Sequence, residues 1–343
     1  DMLALMDIET FWFIVLGLLL TGYAILDGFD LGVGILHFGV KKDEDRRIFM
    51  NAIGPLWDGN EVWLVTFGGA LFAAFPRAYA TVFSGFYTAF MMLLCALIFR
   101  AVSLEFRSKM QWGWWRKLWD FGFSASSGLA TFLFGVTIGN AIMGLPIDAD
   151  GEYAGSFMDL LQPYSILVGL LVMALFAMHG SVFLYLKTEG ELQEQVHGWM
   201  WRTFGVFLVF YILTTMYTLH AVPRATENFQ SQPWSWGVVL LNVLAIANIP
   251  RAIHLGHPFY AFISSCCTIV AFNFLLALAL FPNFLVSNID VAYSLDIYNA
   301  ASSEKTLYIM RNIALLGMPF VLAYTAVIYW TFRGKVRLDK FSY

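Results

Sequence analysis

L-L-Q-P-Y-S-I-L-V-G-L-L-V-M-A-L-F-A-M-H-G-S-V-F-L-Y-L, residues 160–186, contains no Asp, Glu, Lys or Arg. A helix needs about 20 mostly apolar residues to cross a hydrocarbon layer roughly 30 Å thick, and this run exceeds that. In lipid such a run becomes helical, because a helix satisfies every backbone N–H and C=O within its own segment. Comparable runs occupy 11–39, 51–75, 78–103, 118–144, 199–221, 235–253, 258–282 and 307–332. The pattern predicts an all-α polytopic membrane protein with nine transmembrane helices. Its 343 residues form a single integral membrane domain, and two four-helix groups plus one peripheral helix fit that number.

Composition agrees. Hydrophobic types make up 59% and charged types 13%, where a soluble domain carries about 25% charge. Surface-to-volume scaling leaves too much of that apolar surface outside any water-soluble fold. A formal net charge of −4 argues against a nucleic-acid partner, which needs clustered Lys and Arg on an exposed face. Cys95, Cys266 and Cys267 sit in apolar runs without zinc or redox spacing and read as small buried hydrophobes. Asp7 and Glu9, rather than a basic region, precede the run Phe11 to Leu20, so it reads as a first span and not a signal peptide. Most prolines fall near span ends or beginnings; Pro319 is the interior one, where a kink is expected. The longest connection runs from Asn283 to Thr306.

Lys and Arg counts orient the chain. With nine spans, one side collects sixteen of the 20 Lys and Arg, including Lys41, Lys42, Arg46, Arg47 and the tail Arg333, Lys335, Arg337 and Lys340. That side is the cytoplasm, so the N-terminus is expected outside and the C-terminus in the cytoplasm.

Charge within a span is costly and is by default a functional signal. D-G-F-D-L-G-V-G at 27–34 places Asp27 and Asp30 on one helix face, three residues apart. P-L-W-D-G-N-E-V-W at 55–63 does the same for Asp58 and Glu61, with Trp57 and Asn60 beside them. These four carboxylates lie toward the cytoplasmic ends of their helices, where protonatable groups form a file able to pass protons through low dielectric. The bland reading has them bonding helix ends or arginines, with Gly32 and Gly34 serving close packing around Asp30. Arg100 lies deeper and either snorkels or pairs with a carboxylate such as Asp58. Glu105 and Lys109, four apart, have the spacing of a helix ion pair, either a solvated surface pair or a proton entrance.

Only His179 lies well inside a span; the other histidines fall at span ends or in connections. Ligation of a haem by two histidines within the membrane is therefore hard to assemble, and an interhelical hydrogen bond is the better role for His179. No catalytic residue and no metal site are expected in this chain. Trp112, Trp114, Trp115 and Trp119, with Arg116 and Lys117, read as an interfacial belt.

Several strings together resemble subunit II of the cytochrome bd-type quinol oxidases, the CydB family. They are D-G-F-D-L-G-V-G at 27–34, R-R-I-F-M-N-A-I-G-P-L-W-D-G-N-E-V-W-L at 46–64, G-G-A-L-F-A-A-F-P at 68–76, W-R-K-L-W-D at 115–120 and K-T-E-G-E-L at 187–192. The resemblance implies a nine-helix subunit paired with a homologously folded subunit I, which carries haem b, haem d and the quinol-oxidising loop. The pair oxidises quinol and reduces dioxygen to water with cytoplasmic protons. It implies a proton path through Asp58 and Glu105 near the subunit interface, to which Asp27, Lys109 and Glu61 are added here. Trp57, Asn60, Asp30 and Arg100 are assigned packing roles. It also allows a structural quinone, lipids and small accessory subunits; no cofactor is held covalently. Two other classes fit the residues alone. A proton-coupled secondary transporter accounts for buried acids and glycine-rich helices. A purely structural anchor would tolerate neutral replacement of every acid.

Overall fold

The computed structural model describes residues 6–339 and 342–343. Lys340, one of the tail cations, lies outside the described residues. Twelve helices follow one another: α1 (Ile8–His37), α2 (Asp43–Ile53), α3 (Trp57–Ala74), α4 (Pro76–Gly85), α5 (Tyr87–Phe106), α6 (Gly113–Met143), α7 (Pro163–Lys187), α8 (Gly190–Ala221), α9 (Glu227–Ser231), α10 (Ser235–His254), α11 (Pro258–Leu280) and α12 (Glu304–Thr331). Among the described residues, 8 helices are long and apolar enough to cross a membrane: α1, α5, α6, α7, α8, α10, α11 and α12. The fold is all-α and polytopic.

The second expected span, 51–75, divides. Pro55 lacks an N–H and disfavours helix at the residue before it, and the chain turns over 54–56 between α2 and α3. Helix α2 is amphipathic, burying Phe49, Met50, Ala52 and Ile53, with Asp43, Glu44 and Asp45 in its first turn, where the helix dipole favours acids. Asp58, Asn60 and Glu61 dilute the apolarity of α3, which has 18 residues and is not among the helices apolar enough to cross a membrane. The third span, 78–103, breaks at Phe86 (φ −95°, ψ 21°). Pro319 is not alone in a helix interior: Pro250 lies inside α10.

Helix α7 is the centre. In its most apolar stretch 78% of residues are buried, against 0% for α12, which lies on the outside. α1, α6 and α8 pack around α7. The crossing of α1 and α7 depends on two glycines: a Cβ at Gly32 would stand 1.9 Å from the Phe176 carbonyl oxygen, and one at Gly180 2.6 Å from the Gly32 carbonyl carbon. Contact this close is how helices associate in lipid, where apolarity alone gives them no reason to meet. The cysteines depart from expectation, since Cys95 and Cys267 are exposed on α5 and α11 and Cys266 is half-buried.

The connection from 281 to 303 folds over the start of α1 and the end of α3. Its strands β1 (Asn283–Leu285) and β2 (Leu295–Asp296) pair antiparallel. Ser302 N–H donates to the Ala74 carbonyl (2.8 Å), and Tyr298 donates to Asp7 (2.8 Å). At the basic end the segment after α12 is strapped to α7. Val336 N–H donates to the Lys187 carbonyl (2.9 Å), and the Lys187 ammonium donates to the carbonyls of Phe332 and Gly334.

Candidate functional site

Two ionic clusters are built into the bundle. The first joins α1, α3, α5 and α12. Arg100 donates Nη1–H to Asp27 Oδ1 at 2.7 Å, and its Nη2 lies 3.7 Å from Glu61 Oε1. Asp27 and Asp30 are 0% exposed, Arg100 1% and Asn60 2%. One turn from Asp27, Asp30 accepts from Asn60 Nδ2 (2.7 Å), and Asn60 Oδ1 accepts from the Tyr329 hydroxyl (2.6 Å). Asn60 Nδ2 also reaches the Leu26 carbonyl (3.3 Å). The remaining oxygens of Asp27 and Asp30 and Nε of Arg100 are buried without a protein partner. One guanidinium therefore faces three carboxyl groups, and the cluster is neutral only with two added protons.

The second cluster ties the basic end together. Asp120 on α6 accepts from His37 Nε2 (2.6 Å), Arg46 Nη1 (2.7 Å) and Arg107 Nε (2.6 Å). Arg107 also donates to Asp43 (2.8 Å), which takes a longer bond from Arg116 (3.3 Å). Asp120 is the residue that sequence reasoning missed. It appears only within the W-R-K-L-W-D string, and its signal was an acid on an apolar helix near cations counted solely for topology.

Asp58 does not join the first cluster. It is exposed and lines a groove of about 480 Å³ between α3 and α12, with Asn60, Trp63, Thr66, Tyr324 and Tyr329. The suggested Arg100–Asp58 pair is replaced by Arg100–Asp27, because Asp58 lies in the first turn of α3 on its outward side and Glu61 is the residue that reaches inward. Glu105 and Lys109 form no ion pair among the described residues. The α-helix tightens to a 3₁₀ turn over Arg107–Lys109, which breaks the four-residue register. Glu105 instead accepts from the Tyr343 hydroxyl (3.0 Å). His179 is a cross-brace: Nδ1 meets Ser265 Oγ (2.7 Å) on α11 and Nε2 meets the Ile25 carbonyl (2.9 Å) on α1. Trp112 and Trp114 stack at 5.8 Å and are exposed, as a belt requires.

The sequence matches the family described as cytochrome bd terminal oxidase subunit II over residues 8–332. The chain belongs to the cytochrome bd terminal oxidase subunit II family. It is 33% identical over 356 residues to cytochrome bd-I ubiquinol oxidase subunit 2 of Escherichia coli (strain K12), covering 95% of this chain and 94% of the relative. It is 35% identical over 332 residues to cytochrome bd ubiquinol oxidase subunit 2 of Bacillus subtilis (strain 168), covering 96% and 97%. The bd oxidase structure from Geobacillus thermodenitrificans shares the fold, with a TM-score of 0.79 at 17% identity over 95% of this chain and 99% of that one. This subunit II is thus a multi-pass membrane component of a terminal oxidase, with a further subunit as its partner and haem in the complex.

Neither His179 nor the walls of the two apolar cavities fit a haem ligand set. Both ring nitrogens of His179, the one histidine deep in a span, are engaged by protein groups. Two apolar cavities, about 370 and 280 Å³, have no His, Cys or Met in their walls. No group of three or more His, Cys, Asp or Glu among the described residues is placed to hold a metal ion.

Proposed function

We propose that this chain is the subunit of a quinol:dioxygen oxidoreductase that scaffolds the haem-bearing subunit I and supplies its protons. Reducing dioxygen to water takes up one proton with each electron, so an oxidase whose redox groups sit within the membrane needs a wet, protonatable route from the cytoplasm. The route starts at Asp58 and Glu105, with Lys109 beside the entrance, and continues through Glu61 to Asp27. Asp30, Asn60, Trp57 and Arg100 hold it in shape. The observation that carries the reading is the Arg100 cluster, with fewer cations than carboxyls and one helical turn from Asp58.

The scaffold role rests on α3 and α12. A carboxylate in a groove on the outer face of the bundle is expensive against lipid, and a partner subunit seated there removes that cost. The same reading counts α3 as a ninth crossing within one membrane domain, arranged as two four-helix groups and a peripheral helix. The N-terminus then lies outside and the C-terminus in the cytoplasm. The apolar cavities share Phe176, Val172 and Asn273 in their walls, and their apolar linings support the reading that the chain holds a structural quinone by its isoprenoid tail. Family membership does not favour a proton-coupled transporter.

The test is Asp58→Asn and Glu61→Gln in the purified complex. Oxygen consumption should fall at least tenfold while the haem spectrum stays intact. Full turnover in both variants would remove the route and leave the scaffold.

A further inference from the structure

Helix α6 has 31 residues, about 46 Å of length against a hydrocarbon layer of roughly 30 Å, so its ends reach the headgroup layers. Its start is short of negative charge. The N-cap residue Trp112 makes no side-chain capping bond, no acid lies in the first turn, and Arg116 and Lys117 stand within the first five residues. The helix dipole favours anions there and opposes cations; α2, by contrast, carries three acids in its first turn. The acids nearest to Arg116 are already committed. Asp120 and Asp43 face the guanidiniums of Arg46, Arg107 and Arg116, and the Asp43–Arg116 contact is the longest of these at 3.3 Å. Lys117 is exposed and forms no ion pair among the described residues. Beyond these cations, Trp114, Leu118 and Phe121 recur at helical spacing on one exposed face of α6. The Phe121 ring meets the exposed ring of Phe38, just after α1, with centroids 6.4 Å apart, and the Arg46 guanidinium covers Phe38 at 5.5 Å. Cations at headgroup depth thus stand over an aromatic strip that runs into the hydrocarbon.

We propose that this face is a site for one anionic phospholipid, with its phosphate diester held by Arg116, Lys117 and the uncapped N–H groups that open α6, and its acyl chains lying along Leu118, Phe121 and Phe38. Three needs are met at once: the helix start gains an anion, the surplus cations gain a partner, and the aromatic strip is covered. A dissolved phosphate would meet the first two and leave the strip bare. A zwitterionic lipid would bring its own ammonium to a place where cations are already in surplus. Tryptophan and basic residues at this depth anchor helices to the interface in general; here the uncapped helix start and the Arg116–Asp43 contact confine the phosphate to one position. None of the residues of the proton route takes part.

The experiment titrates the purified, assembled oxidase with phosphatidylglycerol against phosphatidylcholine and counts bound lipid per complex by native mass spectrometry, with haem content and subunit composition as controls. Phosphatidylglycerol should be retained in preference, with one molecule of it sensitive to Arg116 and Lys117. Lys117→Gln should weaken that molecule's binding roughly fivefold, and the Arg116→Gln, Lys117→Gln pair roughly thirtyfold, the scale of one and two cations at an anionic headgroup. Phe121→Ala should weaken it as well and keep the preference, whereas Arg251→Gln, at the end of α10, should change nothing. Lys117→Gln breaks no ion pair among the described residues, so it decides the matter even where Arg116→Gln disturbs assembly through Asp43. Equal retention of the two lipids, or binding that Lys117→Gln leaves untouched in an assembled complex, overturns the site. An equal loss in Arg251→Gln reduces it to general surface charge and overturns it too. Displacement of the lipid by millimolar inorganic phosphate, with Phe121→Ala silent, assigns the cations to a dissolved anion and overturns the lipid reading.

Discussion

Arg100→Met isolates what the buried ion pair contributes. Arg100 and Asp27 meet at 2.7 Å and are 1% and 0% exposed, so both charges are shielded from bulk water. Two unit charges about 4 Å apart at an effective dielectric of about 20 attract by about 4 kcal/mol. Removing one partner of such a pair typically costs about 3–5 kcal/mol, because the other is left buried and uncompensated. Glu61 adds less, since its side chain is 23% exposed and 3.7 Å away. Arg100→Met and Asp27→Asn should each lower the thermal midpoint of the complex by an amount on the order of 5–10 °C, followed by intrinsic fluorescence and haem absorbance. The double variant should recover most of that, because two neutral groups of similar volume replace two charges that were costly to bury. Shifts that simply add would refute the pairing and imply that each side chain is held by other groups.

Asp120→Asn should unfasten α2, since His37, Arg46 and Arg107 all converge on that carboxylate; hydrogen exchange over 38–53 should accelerate while α7 stays protected. His179→Leu should cost about 1–3 kcal/mol by removing the hydrogen bonds that tie α7 to the Ile25 carbonyl and to Ser265 while the haem bands remain unchanged, and a missing band in a folded complex would restore a ligand role. Gly32→Ala should cost about 1–3 kcal/mol or abolish assembly, because the clash is with backbone that cannot turn aside, and expression with partner retention reports it. A reporter fused after Tyr343 should be active only in its cytoplasmic form; activity on the outer side would refute both span parity and orientation.

Eight of the nine spans expected from hydropathy have long apolar helices, because the requirement to fill a bilayer is written locally in composition. The interruptions are less visible. Pro55 announces the turn before α3, whereas only the dipeptide Ser84-Gly85 marks the break between α4 and α5. Helix α2 falls outside a search for apolar runs because its buried face is only Phe49, Met50, Ala52 and Ile53. Helix-face spacing grouped Asp27 with Asp30 and Asp58 with Glu61. It could not choose which acid Arg100 would meet, since that depends on how α1, α3 and α5 are rotated against one another. Tyr329 and Tyr343 reach their partners across 269 and 238 residues of sequence, so no local pattern could name them.

The ratio of cations to acids separates the two clusters more sharply than burial does. Asp120 and Asp27 are both fully buried, but Asp120 takes bonds from three cationic or protonatable side chains on both of its oxygens. A carboxylate saturated in that way has no capacity left to accept or release a proton cheaply, and its effect is to hold α1, α2 and α6 in register. Around Arg100 the ratio is reversed, and carboxylate oxygens remain without protein partners. Replacing a buried ionic group by a packed apolar one is often neutral or stabilising, so an under-compensated cluster is not retained for stability. A group kept at the expense of stability needs another reason to persist; in the proposed proton route that reason is spare proton-accepting capacity.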